Sequence, residues 1–272
     1  MAASVLAGKR IVITRSAEQS EVLSRELSAR GAVPVVVALV SFAKPEYSGP
    51  LDAAIAEIEQ FDWMILTSAE AVRAVVKRGE QLRKPVASTG NKLQIACVGP
   101  VTAEAARNAG LRVGCIAKTH TGLGLAEELG NRLQGAKVFL PRSDRANPDL
   151  PLALRRHGAQ VTEVIAYRTL RPTEVDEGKL RVMANGTVDA MLFFSPSAVH
   201  YFVELIDGAQ LRGLQDRTAI IAVGPVTASA LRECGFGRIV VAAETTASAA
   251  VLALEEHFGN EQKESQAGAN RA

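Results

Sequence analysis

The sequence predicts an α/β protein of two related domains, each a doubly wound parallel sheet. Three observations carry this reading. The hexapeptide Val98-Gly99-Pro100-Val101-Thr102-Ala103 returns unchanged as Val223-Gly224-Pro225-Val226-Thr227-Ala228. Its flanks also repeat: residues 8–15 align with 135–142, 31–32 with 158–159, and 62–68 with 189–195, all 127 positions apart, against 125 for the hexapeptides. A near-constant offset marks a duplicated unit, and two copies make a domain pair rather than a solenoid. Finally, strand-like and helix-like patterns alternate along the chain, which implies parallel strands joined by helical crossovers and covered on both faces.

Each element follows from local signals. Residues 10–14 are a short β-branched run and read as a buried strand. Ser16 can cap the next helix, which ends at Gly31. Residues 33–42 read as one long strand, broken by Lys44-Pro45. A short helix over 51–59 and a strand over 63–67 follow, and Ser68 caps a helix running to Gly79. Residues 81–91 are a polar loop. The hexapeptide then turns strand into helix: glycine permits the tight turn and proline suits the first helical position. That helix ends at Gly110, and a strand over 112–116 and a helix over 122–133 close the first copy. In the second, a strand over 137–140 and a helix over 148–157 lead to a long strand over 161–169, stopped by Arg171-Pro172. A helix, a strand over 189–194, a helix over 197–206, the second hexapeptide with its helix to Gly235, a strand over 238–241 and a helix over 247–257 complete it. Residues 259–272, rich in Gln, Glu, Asn and Gly, read as a disordered tail.

Composition narrows the function. Apolar residues make up 47% and charged residues 22%, as in an ordinary globular protein. Aromatics at 4% and a net charge of +2 argue against a nucleic-acid surface. The three cysteines form no CxxC pair and the four histidines no metal-ligand spacing, so buried inert thiols in a reducing compartment, and no metal, are expected. The longest apolar run, 33–42, is too short for a membrane span and contains Pro34. No long apolar h-region precedes the first strand, so no signal peptide is expected and the location is read as cytoplasmic.

In open α/β sheets, ligands bind outside the carboxyl ends of the strands. Here those ends carry Arg15, Ser68, Gly99, Thr102, Arg142, Ser195, Ser197, Gly224 and Thr227. Each sits at a helix N-terminus, where free N–H groups and the helix dipole favour anions. Two such lobes facing one another would form an anion-binding cleft. Structure alone also accounts for these residues. Ser68 and Ser195 are good caps without any ligand, and Arg15 and Arg142 read equally well as surface charges. No GxGxxG, Walker A or GxSxG motif is present, so dinucleotide, nucleoside-triphosphate and serine-hydrolase readings fall.

Five segments in order bring a family into view: Leu66-Thr67-Ser68-Ala69-Glu70-Ala71-Val72, the first hexapeptide, Val164-Ile165-Ala166-Tyr167-Arg168-Thr169, Phe193-Phe194-Ser195-Pro196-Ser197-Ala198-Val199, and the second hexapeptide. With this spacing, from about residue 8 to 258, the chain resembles the uroporphyrinogen-III synthases. The resemblance implies a flavodoxin-like topology in each domain and interleaved lobes: residues 1–38 with 170–258, and 39–169. The two long strands would be the two-stranded connector between them. It further implies a cofactor-free, monomeric enzyme that closes hydroxymethylbilane with inversion of ring D and loss of water, through a spiro intermediate. Tyr167 matches the family tyrosine whose role is to help the hydroxyl leave, so it is the expected catalytic residue. Thr102, Ser197 and Thr227 match positions lining the cleft, with Ser68, Ser195, Arg15 and Arg142 as further expected contacts. Ala69-Glu70 departs from the usual pair after Ser68, which weakens that turn as an anion contact. Two rivals share the architecture. A two-lobed carboxylate-binding protein would not need Tyr167, and a Rossmann oxidoreductase would need phosphate-binding glycines that are missing.

Overall fold

The computed structural model describes residues 4–88, 92–172, 176–184, 187–206 and 208–269. The chain divides into two compact units, Met1–Ser41 with Arg171–Ala272, and Phe42–Leu170. The first unit opens with β1 (Arg10–Ile13), α1 (Ala17–Ala29) and β2 (Val33–Val36). The chain then enters the second unit through β3 (Ser41–Ala43), α2 (Gly49–Ala56), β4 (Trp63–Leu66), α3 (Ala69–Gln81), β5 (Gln94–Cys97), α4 (Pro100–Asn108), β6 (Val113–Ile116) and α5 (Gly122–Leu129). β7 (Lys137–Ser143), α6 (Asp149–Arg156) and β8 (Gln160–Leu170) complete that unit. The first unit resumes with α7 (Glu177–Ala184), β9 (Ala190–Phe193), α8 (Pro196–Leu205), α9 (Gly208–Gln215), β10 (Ala219–Val223), α10 (Pro225–Glu233), β11 (Val240–Ala242) and α11 (Ala247–Ala269).

The first unit's sheet runs β11-β10-β9-β1-β2, with every neighbouring pair parallel. Counted within the unit this is the 2-1-3-4-5 order of flavodoxin-like sheets. The second sheet runs β3-β8-β7-β4-β5-β6, and from β8 to β6 it has the same order once counting starts at β7. Each sheet therefore takes its first two strands from one copy of the duplication and its last three from the other.

A pair of aspartates clasps the exchanged strands. Asp189 precedes β9 and accepts the Arg10 N–H on Oδ2 at 2.8 Å, while its own N–H donates to the Arg10 carbonyl at 2.9 Å. The duplicate Asp62 precedes β4 and accepts the Lys137 N–H on Oδ2 at 2.9 Å, its N–H again donating to the Lys137 carbonyl at 2.9 Å. Each copy's aspartate thus satisfies the opening amide of the other copy's first strand. Lys9 adds a 2.9 Å ion pair to Asp189.

Alternation along the strands fills both faces of each sheet. Val12, Met191 and Phe193 pack with Phe202 and Phe236 on one side of the first sheet, and Ile11, Ile13 and Leu192 with Leu27 and Leu254 on the other. In the second, Met64, Leu66 and Phe139 face α3 and α4 residues, while Ile65, Val138 and Leu140 face α5 and α6 residues. Each such fully buried side chain contributes about 1.5–3 kcal/mol relative to exposure.

Several expected elements change. The long strand over 33–42 is two short ones, because Val37, Leu39 and Val40 are buried in the core without extending the ladder. An apolar β-branched run looks the same whether it pairs or merely packs. Pro34 is tolerated because β2 is an edge strand. β7 runs on to Ser143, three residues past its expected end. The tail expected to be disordered from 259 continues α11 as far as Ala269; its Glu, Gln, Lys and Ala residues are good helix formers. Residues 270–272 of that tail, and 89–91 of the expected loop, lie outside the described residues.

The aspartate clasps make a quantitative prediction. Asp189→Ala and Asp62→Ala should each lower the unfolding free energy by about 1–2 kcal/mol, from losing a charge-assisted bond at a half-exposed site. Urea unfolding followed by circular dichroism measures this, and unchanged midpoints would remove the clasps as a source of stability.

Candidate active site

Because the neighbouring strands of the first sheet, and those from β8 to β6 of the second, are parallel, their carboxyl ends share one edge within each sheet, where most of the helices begin. Five hydroxyl side chains there cap the helix that follows. Ser16 Oγ accepts from Gln19 N–H at 3.3 Å, Ser68 from Ala71 at 3.1 Å, Thr121 from Gly124 at 3.1 Å, Ser195 from Ala198 at 3.3 Å and Thr246 from Ala249 at 3.1 Å. Thr121 and Thr246 were not singled out from the sequence. They lie 125 residues apart, like the hexapeptides, and that spacing could have found them.

The two hexapeptides cap their helices with glycine and no side chain, yet differ in backbone. Gly99 has φ −156°, an extended conformation open to any residue. Gly224 has φ +106°, and a Cβ built there would lie 2.7 Å from the Thr245 methyl carbon. Thr102 and Thr227, in the first turns of α4 and α10, are buried at 7% and 3% exposure and offer a ligand little surface. Ser197, in the first turn of α8, is half-buried. The Arg15 guanidinium lies over the Phe194 ring, 4.0 Å from its centroid, a cation–π contact that leaves it charged.

Arg142 departs furthest from its reading as a surface charge. It is 4% exposed. Nη1 donates to Glu163 Oε1 at 3.0 Å on the neighbouring strand, and Nη2 donates to the Asn147 carbonyl. Burial lowers its pKa, opposed by Glu163. Among the described residues its Nε has no partner.

The chemistry-bearing corner lies beside it. The half-buried Tyr167 hydroxyl is 3.0 Å from Ser68 Oγ, and its ring meets Phe42 edge-on at 5.6 Å. Burial raises the phenol's pKa above the ordinary tyrosine value. The Ser68 bond pulls it down, the carboxylates of Glu70 and Asp144 push it up, and Arg142 pulls it down. The net result is a phenol kept protonated, able to donate through its hydroxyl. Of the residues picked from sequence, Tyr167, Ser68 and Arg142 come together within the second unit; Glu163 and Asp144, which complete the corner, were missed.

Cys97 is buried with its thiol pKa pushed up to about 12 by desolvation, and so is inert; Cys115 and Cys234 are only half-buried. Among the described residues no cluster of three or more His, Cys, Asp or Glu is placed to hold a metal ion, and no helix is long and apolar enough to cross a membrane.

Comparison with known proteins is consistent along the chain. The family described as Uroporphyrinogen-III synthase HemD matches residues 21–251. A uroporphyrinogen-III synthase of Synechococcus elongatus is 31% identical over 261 residues, covering 94% of this chain and 98% of that protein. Among solved structures, a mutant uroporphyrinogen III synthase from Thermus thermophilus superposes with a TM-score of 0.63 at 22% identity, covering 93% of this chain and all of that one. The uroporphyrinogen-III synthetase of Helicobacter pylori gives 0.56 at 17% identity over 90% of this chain and 98% of that one. These two likenesses speak to fold.

The hexapeptide geometry is testable directly. Gly224→Ala forces a side chain into the left-handed region and against Thr245, and should cost about 1–3 kcal/mol. Gly99→Ala carries no such dihedral penalty. Thermal unfolding of the two variants should differ accordingly; equal melting temperatures would show that the φ difference between the turns has no energetic weight.

Proposed function

The chain belongs to the uroporphyrinogen-III synthase family, and from that premise we propose how its own residues serve the cyclisation. The enzyme acts in tetrapyrrole biosynthesis. Its substrate on this reading is hydroxymethylbilane, a linear tetrapyrrole carrying eight carboxylates. The ring A hydroxyl leaves as water with a donated proton, generating an electrophilic azafulvene. Ring D attacks through its substituted carbon to form a spiro intermediate, which fragments and recloses with ring D inverted. A proton is lost as aromaticity returns, so the net change is loss of one water.

The residues divide between holding and reacting. The carboxylates belong at the helix N-termini on the carboxyl edges, where the first-turn amides of α3, α4, α8 and α10 and the half-buried Ser197 supply donors. Ser195 and Ser68 can add a hydroxyl proton to a ligand, since capping uses only an acceptor lone pair. Arg15 offers a charge held by Phe194, whereas Arg142 is committed to Glu163 and acts on the site through its field. Tyr167 is the proton donor to the departing hydroxyl. One observation carries this assignment: the phenol is buried enough to remain protonated, and its hydroxyl is fixed by Ser68. The same reading makes the protein a cytoplasmic, cofactor-free monomer. The rival of a carboxylate-binding protein without catalysis gives way to family membership.

Isomer analysis tests the whole reading. With hydroxymethylbilane generated in situ, the wild-type protein should yield isomer III, and a protein-free control isomer I; isomer I alone from folded protein would end the cyclase assignment. Tyr167→Phe should lose about 10²-fold in kcat, the lower range for a positioned acid. The donor is the protonated form, so activity is complete below the raised phenol pKa and falls as pH rises through it. The alkaline limb assigned to Tyr167 should therefore lie above pH 10, the ordinary tyrosine value. A limb well below that, or full turnover by the phenylalanine variant, would place the donor elsewhere.

A further inference from the structure

We propose that Asp144 is a positioning residue for Tyr167, gripping the bulged end of β8 at the tyrosine carbonyl and at the residue two places on, and so fixing where its hydroxyl lies. This deepens the proposed function and rests on Tyr167 as the donor. The first support is register. β7 and β8 pair residue for residue from Lys137↔Gln160 to Arg142↔Ile165, then skip to Ser143↔Tyr167. Ala166 is the extra residue. A bulge re-aims the side chains beside it: Val164, Ala166 and Tyr167 all pack on the same cluster, although Ala166 and Tyr167 are adjacent in sequence and would face opposite sides of a regular strand.

The second support is what replaces the broken ladder. The Asp144 N–H donates to the Tyr167 carbonyl at 3.2 Å, and its Oδ1 accepts the Thr169 N–H at 2.9 Å. Ser143 Oγ donates to the same Oδ1 at 3.1 Å and lies 2.7 Å from Thr169 Oγ1. Since a serine hydroxyl has one proton, Thr169 is the donor in that last bond. One carboxylate thus collects the Thr169 amide, two residues past the tyrosine, and a side-chain chain behind it. The third support is the duplication. At the 127-residue offset Asp144 corresponds to Ala17 and Tyr167 to Val40. In the first copy β1 stops at Ile13 and α1 begins at Ala17 under its Ser16 cap. Only the copy with the tyrosine has the longer ladder, the bulge and the aspartate.

The test uses the full chain labelled with [13Cζ]tyrosine. It has three tyrosines, and the Tyr167 resonance is the one that disappears in Tyr167→Phe. In Asp144→Ala the Tyr167 resonance should shift and its titration midpoint move toward that of free tyrosine. kcat should fall about tenfold, the scale of a slightly misplaced group, with KM within about twofold. Asp144→Asn still offers Thr169 an acceptor and should keep kcat within about twofold of wild type. Glu70 on α3, Ser68 and Arg142 are unchanged in every variant, and alanine and asparagine remove the same Asp144 charge, so a midpoint change common to both reports that charge while a resonance shift and kcat loss confined to alanine report positioning. If the alanine variant does not fold, Asp144→Glu, which displaces the carboxylate by one methylene and keeps its charge, carries the same expectations for the resonance and kcat without the change in midpoint. A Tyr167 resonance and kcat unchanged in the alanine variant, or an asparagine variant as impaired as alanine, overturns the proposal. Full activity in Tyr167→Phe would instead overturn the donor assignment, while the resonance still reads Asp144's hold on the tyrosine.

Discussion

Two reciprocal clasps join the copies at the start of β1 and β7. Asp189 closes on Arg10 and Asp62 on Lys137, each carboxylate taking a strand-opening amide from the other copy of the duplication. Neither copy can finish a sheet alone, because each supplies strands for both. β1 hydrogen-bonds to β2 on one side and to β9 on the other; without β9 it would be the edge of a two-stranded ribbon, which is marginal in water. The cost is kinetic. Pairing residues near 11 with residues near 190 means closing a long loop before any ladder bond forms, and such topologies fold slowly.

The duplication also shows where function required the copies to diverge. Identical hexapeptides adopt different backbones at Gly99 and Gly224, and only at Gly224 does the Thr245 methyl also leave no room for a side chain. The Ser68 and Thr121 caps are retained as Ser195 and Thr246, as expected of features that serve helices first and ligands second, whereas the duplicate of Ser16, Ser143, ends β7 without capping a helix. The tyrosine corner exists once. Its surroundings are also electrostatically unlike the helix N-termini: Glu70 and Asp144 outweigh the influence of a buried Arg142 already paired with Glu163. A substrate bearing eight carboxylates would be held by the N-termini and not by this corner. On the proposed reading, anion binding and proton donation fall to different local fields within one fold.

Much of this was legible from residues alone, and the failures have specific causes. The repeats, the capping serines 16, 68 and 195, and the turn glycines are local features, set by a few adjacent residues. The exchange of strands is not local. Buried parallel strands are short continuous apolar runs, so nothing in them names a partner; the resemblance, not the repeat, suggested interleaving. Residues 33–42 were over-read as one strand because Val37, Leu39 and Val40 satisfy the apolar pattern by packing alone. Arg142 was misread because its partner Glu163 lies on a strand whose register no sequence pattern fixes. Asp144 was missed for the same reason: its role depends on a bulge created by pairing, and one residue of register decides which side chains face the site.

A weak acid at the centre of the site is what this reaction calls for. Closure of the linear tetrapyrrole proceeds without an enzyme and gives the non-inverted isomer, so assisting departure of the hydroxyl speeds the reaction but does not choose the isomer. The protein must instead decide which carbon of ring D attacks, a problem of orientation rather than acidity. A phenol held above its ordinary pKa supplies a hydrogen-bond donor whose state changes little with pH or with the arrival of a polyanion, since neighbouring negative charge only strengthens its hold on the proton. A carboxylic acid would have to be driven neutral far from its ordinary range, and a histidinium would be drawn into ion pairs with the substrate. With so undemanding a donor, selectivity depends on where its oxygen sits. The tyrosine is accordingly bounded by Phe42 at its ring, Ser68 at its hydroxyl and the Asp144 N–H at its carbonyl.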